Sequence, residues 1–161
     1  MSIPQRIRDY LDSQNVPYET LHHSQVFTGQ DVARTLHVSG KRCVKAVAVR
    51  GDERTVLAVI PASHRLNLQD LASTLEVSRL ELLREGELAA VFPDCDLGAI
   101  PPFGNLYGVN VWVDRVVADA EQILFCAGTH EDCIRMRYAD FAKLTLPRLG
   151  RFAELAAGKA A

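Results

Sequence analysis

The chain has 161 residues, 48% hydrophobic and 24% charged, with a formal charge of −2. A chain of this size buries about 70% of the surface its unfolded form exposes, and the composition excludes collagen-like, disordered and low-complexity classes. The slight negative balance excludes a global positive field, so any contact with nucleic acid has to be local.

Taken in chain order, Ser2 with Gln5 has the capping-box pattern, and Ile3, Ile7, Tyr10 and Leu11 recur at helical spacing. This predicts a first helix ending near Asn15, followed by an extended segment at Val16-Pro17-Tyr18. Thr28 with Asp31 predicts a second helix whose inner face is Val32, Ala33 and Leu36. Strands are expected at Val44–Arg50 and Thr55–Pro61, joined through Gly51-Asp52 as a hairpin. Both faces of that hairpin are apolar, which predicts a sheet covered on both sides. Asn67 caps a helix carrying Leu68, Leu71, Ala72 and Leu75, and Ser78 with Glu81 predicts a short one carrying Leu80 and Leu83. Further strands are expected at Leu88–Phe92, Gly108–Val117, Gln122–Ala127 and Ile134–Arg137, then helices near Tyr138–Lys143 and Arg148–Ala157. No linker, charge block or repeat divides the chain, so residues 1–161 read as one mixed α/β domain.

No stretch reaches the roughly 18 apolar residues of a membrane span, and the polar start has no signal-peptide core. Cys43, Cys95, Cys126 and Cys133 show no Cys-x-x-Cys spacing and stand in mostly apolar surroundings. They read as buried thiols in a reducing compartment, which makes a cytoplasmic location the expectation.

Familiar chemistry is missing from the sequence. Gly40-Lys41 is half a P-loop, with Arg42 where Ser or Thr would hold magnesium. His130-Glu131 starts like a zinc-protease helix, but Ile134 stands at the second ligand position. The adjacent His22-His23 pair points to opposite sides of an extended segment and reads as surface or packing rather than a metal site.

Three features remain. Lys45 interrupts an apolar strand in phase with Val47 and Val49; it is either a snorkelling strand-end lysine or a cation at a pocket mouth, ready for a phosphate or carbonyl. The run Gly98-Ala99-Ile100-Pro101-Pro102-Phe103-Gly104 is either a stiff connection or a rigid loop whose amides at Gly98, Ala99 and Ile100 hold a carbonyl oxygen. Ala127-Gly128-Thr129-His130 follows an apolar strand, a place used both for sites and for ordinary turns.

In this order, Val44-Lys45, Gly98 through Gly104 and Ala127-Gly128-Thr129-His130 resemble the YbaK/EbsC-type domain. That family comprises stand-alone aminoacyl-tRNA deacylases related to the editing insertion of bacterial prolyl-tRNA synthetase. The resemblance implies a mixed, largely antiparallel curved sheet with helices packed around it. It also implies trans-editing, the hydrolysis of the ester between a wrong, small amino acid and the 3′-terminal adenosine of a tRNA, tRNA(Pro) or a related one. Lys45 matches the family's positioning lysine, and Gly98 and Pro102 match a Gly-x-x-x-Pro loop whose amides, including those of Ala99 and Ile100, would hold the ester carbonyl. Gly128 and His130 match the strand-end motif of the aminoacyl pocket, with Phe27, Thr28, Val47, Val49, Phe103 and Thr129 as expected walls. No metal or organic cofactor is implied.

The expected partner is the CCA end of a mischarged tRNA, which needs only a few phosphate contacts. Arg34, Lys41, Arg42, Lys45 and Arg65 are the local candidates for those contacts. The small charge fits weak binding helped by an aminoacyl-tRNA synthetase or elongation factor; neither a membrane nor DNA is an expected partner. Two alternatives stay open: a non-catalytic module binding an aminoacyl or nucleotide group, and a hydrolase of other activated esters.

Overall fold

The computed structural model describes residues 3–22 and 42–155. The predicted helix at Thr28–Leu36 lies outside these residues, as do Phe27, Arg34 and Lys41.

Helix α1 spans Gln5–Ser13, with Pro4 rather than Ser2 at its N-cap. The rigid φ of Pro4, −52°, orients its carbonyl to accept from the Ile7 N–H at 3.0 Å, so the helix starts without a side-chain cap. The extended segment after Pro17 is strand β1 (Tyr18–His22). Strands β2 (Val44–Gly51) and β3 (Arg54–Pro61) form the expected antiparallel hairpin, with Lys45 opposite Ile60 and Val49 opposite Val56. After β4 (His64–Leu66), Asn67 caps α2 (Leu68–Leu75), its side-chain oxygen accepting from the Asp70 N–H at 2.9 Å.

Tertiary contacts override local pattern at four places. The helix expected after Ser78 is instead strand β5 (Glu81–Leu82), paired with Val49 and Arg50 of β2. Its neighbours Leu80 and Leu83 enter apolar clusters on opposite faces of the sheet, which i, i+3 residues on one helix face cannot do. The expected strand at Leu88–Phe92 is helix α3 (Glu85–Val91), whose start is held by Glu87 reaching back to the Arg84 N–H at 3.1 Å. The long strand expected over 108–117 is shorter. It runs as β6 (Asn110–Asp114), because Asp114 then accepts from the Val116 N–H at 2.9 Å and starts the one-turn helix α4 (Arg115–Ala118). A 3-10 turn, Gly104–Tyr107, precedes β6. Strands β7 (Gln122–Cys126) and β8 (Asp132–Arg137) and helix α5 (Tyr138–Thr145) match their expected positions within a residue or two. The expected last helix is two strands, β9 (Arg148–Gly150) and β10 (Ala153–Leu155). Its backbone is claimed by the buried Asp114 carboxylate, which accepts from the N–H groups of Phe152 and Ala153, both at 2.8 Å.

The strands form a five-stranded sheet, β5-β2-β3-β6-β9, a three-stranded sheet, β1-β8-β7, and a β10-β4 pair. Pairing is antiparallel except at β3-β6 and β6-β9. One face of the large sheet carries Val49, Val56, Ala58 and Ile60 against α2 and Phe152. The other meets the core of the small sheet and α1, where Ile7, Leu11, Val59, Phe103, Phe125 and Phe141 are fully buried. Apolar strand faces on both sides are therefore covered, as the composition of β2 and β3 demands.

Candidate active site

The two sheets touch at one parallel bridge, Cys43 with Leu124, reinforced by the Leu124 N–H donating to the Arg42 carbonyl at 2.9 Å. Two residues beyond that bridge, β2 carries Lys45 and β7 ends at Cys126. Each is in phase with its bridge residue and so lies on the same face. Lys45 is half-buried, and β5 joins this edge of β2 only further along, at Val49.

Just past Cys126 the chain turns through Gly128, Thr129 and His130, and here the two sequence-predicted loops lock together. Asp96 donates its N–H to the Gly128 carbonyl at 2.8 Å, and Gly128 donates to the Ala99 carbonyl at 2.9 Å. The His130 Nε2 lies 2.7 Å from the Leu97 carbonyl. A carbonyl only accepts, so Nε2 carries the proton and donates. Gly98 has φ +83° and Gly128 φ +92°, a region that favours glycine. A Cβ at Gly98 would sit 3.1 Å from the His130 ring, and one at Gly128 would overlap the Pro4 ring at 2.5 Å. The positive φ favours glycine at both crossing points, and at Gly128 the rigid Pro4 ring leaves no room for a side chain.

The amide inventory differs from the expected three. The Ala99 N–H closes a turn onto the Asp96 carbonyl at 3.1 Å. The N–H groups of Gly98 and Ile100 find no acceptor among the described residues. Pro101 and Pro102 are buried and hold φ behind them, while Ile100 packs with Ala46, Ala48 and Leu57 on the face of β2 opposite Lys45. The loop's entry is fixed by Asp94, which accepts from Arg6 at 2.8 Å and from the Tyr107 hydroxyl at 2.8 Å. Arg6 also stacks 4.5 Å over the Tyr107 ring. Burial pushes the neighbouring Cys95 thiol up to about 11.

Several expected walls have other work in the fold. Phe103 is fully buried among Tyr10, Phe125 and Phe141, edge-on to each, and is a core residue. Val49 is likewise core, while Val47 is half-buried beside it. The Thr129 hydroxyl donates to Asp132 at 2.7 Å and accepts from the N–H groups of Glu131 and Asp132, so it folds the turn rather than facing outward. Thr28 falls, with Phe27, outside the described residues. Arg65 is engaged by Glu154 at 2.9 Å, whereas Arg42 is exposed.

Asp132 is a residue the sequence reading passed over. Burial tends to raise its carboxyl, but hydrogen bonds from Thr129 and the His22 ring, 3.1 Å away, outweigh it and hold the group below the usual carboxylate range. The β1–β8 register that sets His22 opposite Asp132 is invisible in a linear sequence. Among the described residues no group of three or more His, Cys, Asp or Glu is arranged to hold a metal ion. A cavity of about 390 Å³ lies elsewhere, lined by Asn110, Trp112 and Arg148 among others, and holds none of these site residues.

Two loops, one of them stiffened by Pro101 and Pro102, thus cross at two glycines and leave the Gly98 and Ile100 amides without an acceptor among the described residues. The family model for the aminoacyl-tRNA editing domain matches residues 23–144, and the chain belongs to that family. Among curated proteins it is similar to the proline–tRNA ligase of Thiobacillus denitrificans, 37% identical over 92 residues, which is 56% of this chain and 16% of the ligase. It is also similar to that of Bacillus cereus, 22% identical over 64% of this chain and 18% of the ligase. The chain thus spans less than a fifth of the length of these relatives. Among solved structures, a hypothetical protein superposes with TM-score 0.84 at 18% identity, covering 92% of this chain and 99% of that one. A candidate trans-editing enzyme for prolyl-tRNA synthetase superposes with TM-score 0.81 at 17% identity, covering 93% and 96%. The mixed, largely antiparallel fold expected from the sequence is the fold these structures share.

Proposed function

We propose that this chain is an aminoacyl-tRNA deacylase that clears mischarged tRNA in trans. Water attacks the ester carbonyl that joins a small amino acid to the terminal adenosine. The carbon–oxygen bond to the ribose then breaks, and the proton from water passes to the ribose oxygen. The reading rests on one observation above the rest: two loops locked by three hydrogen bonds leave the Gly98 and Ile100 amides without an acceptor among the described residues. Preorganised N–H groups of this kind stabilise the oxyanion of acyl transfer without reorganisation, and removing one such donor typically costs about 2.7–4 kcal/mol of barrier. In this reading Lys45 positions the acylated end or its phosphate. His130 holds the Leu97–Gly98 turn, Gly128 lets the two loops approach, and Pro102 stiffens the loop.

Relatives that are proline–tRNA ligases make tRNA(Pro) the first candidate for the nucleic acid. Delivery by a synthetase or elongation factor, in the cytoplasm, belongs to the same proposal. Arg6, Arg50, Arg65, Arg79 and Arg135 are each paired with a carboxylate, and with a formal charge of −2 the chain has no net positive field to attract RNA over distance.

The test is deacylation of tRNA(Pro) charged with alanine, serine, threonine, cysteine or proline, with Lys45→Ala alongside. Rapid loss of one small amino acid, with proline spared and the variant inactive, is the expected result. Retention of every ester, with acylated tRNA bound but intact, would replace the enzyme with a binding module.

A further inference from the structure

Three of the four cysteines converge at the end of β7. Cys126 and Cys133 are direct partners across the β7–β8 ladder. The next pair along, Ala127 and Asp132, is hydrogen-bonded, its N–H to carbonyl distance being 2.9 Å. Antiparallel pairs alternate, so Cys126–Cys133 is a non-hydrogen-bonded pair, with Cα atoms about 4.5 Å apart and side chains at their closest. That separation falls within the roughly 4.4–6.8 Å that a disulfide spans. Both thiols sit in one small apolar cluster with Cys43, Ala62 and Leu124.

Cys43 is the competing partner, and geometry disfavours it. It bridges Leu124, two residues before Cys126. A neighbouring-strand offset of two residues separates Cα atoms by about 8 Å, beyond the reach of a disulfide without backbone movement. Cys95 belongs to another cluster and contacts the Tyr107 hydroxyl at 3.4 Å.

We propose that Cys126 and Cys133 are a redox pair, closed into a cross-strand disulfide by peroxide or by a small-molecule disulfide and reopened by thiols. With hydrogen peroxide, the Cys126 thiolate attacks one oxygen, the O–O bond breaks and hydroxide leaves, giving a sulfenic acid. The Cys133 sulfur then displaces that oxygen, which departs with the Cys133 proton as water. Two electrons pass from the two sulfurs to peroxide. With glutathione disulfide, Cys126 first forms the mixed disulfide, and Cys133 releases the second glutathione thiol.

The two sulfurs are suited to unequal roles. Cys126 is partly exposed and Cys133 buried, and the interaction between the two thiols lowers that of Cys126 and raises that of Cys133. The accessible sulfur is thus the attacking one and the buried one resolves. Burial pushes Cys43 up to about 12, which keeps it a thiol. Closure would staple the base of the hairpin whose tip is Gly128–His130.

The experiment needs no assumption about deacylation. The full reduced chain is treated with hydrogen peroxide or glutathione disulfide, alkylated, digested without reductant and mapped by mass. The expected product is an intact chain lighter by two hydrogens, with the Cys126 and Cys133 peptides linked and both thiols recovered by dithiothreitol. In Cys133→Ala the expected product is a Cys126 sulfenic acid or glutathione adduct that does not resolve. Should that variant fail to fold, the wild-type map decides. A Cys126–Cys43 link, or Cys126 carried on to sulfinic acid while Cys133 remains a thiol, would overturn the proposal.

Discussion

Gly128→Ala tests the loop crossing most directly. The backbone at Gly128 has φ +92°, where a side chain costs about 1–2 kcal/mol relative to glycine. The added Cβ would also lie 2.5 and 2.7 Å from Cδ and Cγ of Pro4, a ring tied to the backbone at the start of α1 and unable to rotate away. Forcing a methyl into packed structure costs typically about 1–3 kcal/mol more. Together these give about 2–5 kcal/mol. For a chain of this length each kcal/mol moves the midpoint by roughly 2–4 °C, so thermal unfolding followed by circular dichroism should show Tm lower by roughly 4–20 °C. Gly86→Ala is the internal contrast: it lies in α3 with open space around it, and alanine there should raise stability by up to about 1 kcal/mol. A Gly128→Ala midpoint within about 2 °C of wild type would refute the reasoning, since it would mean that α1 and the loop part without cost.

Other predictions follow from the same contacts. Asp114→Ala strips the acceptor from three backbone N–H groups, at Val116, Phe152 and Ala153. Urea titration should show a loss of about 1–3 kcal/mol or more, since the buried Phe152 donor left unsatisfied costs about 1–3 kcal/mol by itself and the half-buried Val116 and Ala153 donors add to it; an effect below about 1 kcal/mol would mean that water replaces the carboxylate. Gly98→Ala presses on the His130 ring at 3.1 Å and strains φ +83°. Deacylation should fall at least about tenfold, the rate equivalent of about 1.4 kcal/mol, and an unchanged rate would remove Gly98 from the oxyanion-holding role. Asp132 is held low in the folded chain by Thr129 and His22 against the opposing effect of burial. Its contribution to stability is therefore complete above the unfolded value of about 3.9 and is lost as pH falls through the lower folded value. Denaturant midpoints measured downward from pH 6 should drop less steeply below about pH 4 in Asp132→Asn than in wild type, and parallel curves would argue against the assignment.

Much of this molecule was legible in one dimension. The β2–β3 hairpin followed from two apolar runs around Gly51-Asp52, and α2 from Asn67 before a 3.6-residue repeat. Those signals are local, carried by caps and turns whose chemistry operates within four or five residues. The resemblance also gave the family, because Lys45, the Gly98–Pro102 run and Gly128–His130 keep their order along the chain. What failed depended on contacts distant in sequence. Residues 148–155 form strands because Asp114 and the β4 and β6 edges claim their backbone, and residues 81–82 pair with β2 for the same kind of reason. Phe103 looks like a pocket wall beside two prolines, yet packing sends it to the centre of the core. The tertiary structure alone decided that Ala99 uses its own amide, that His130 clamps Leu97, and that Cys126 faces Cys133. Sequence determines which groups a chain has to offer, whereas register and loop crossing decide which of them are already taken.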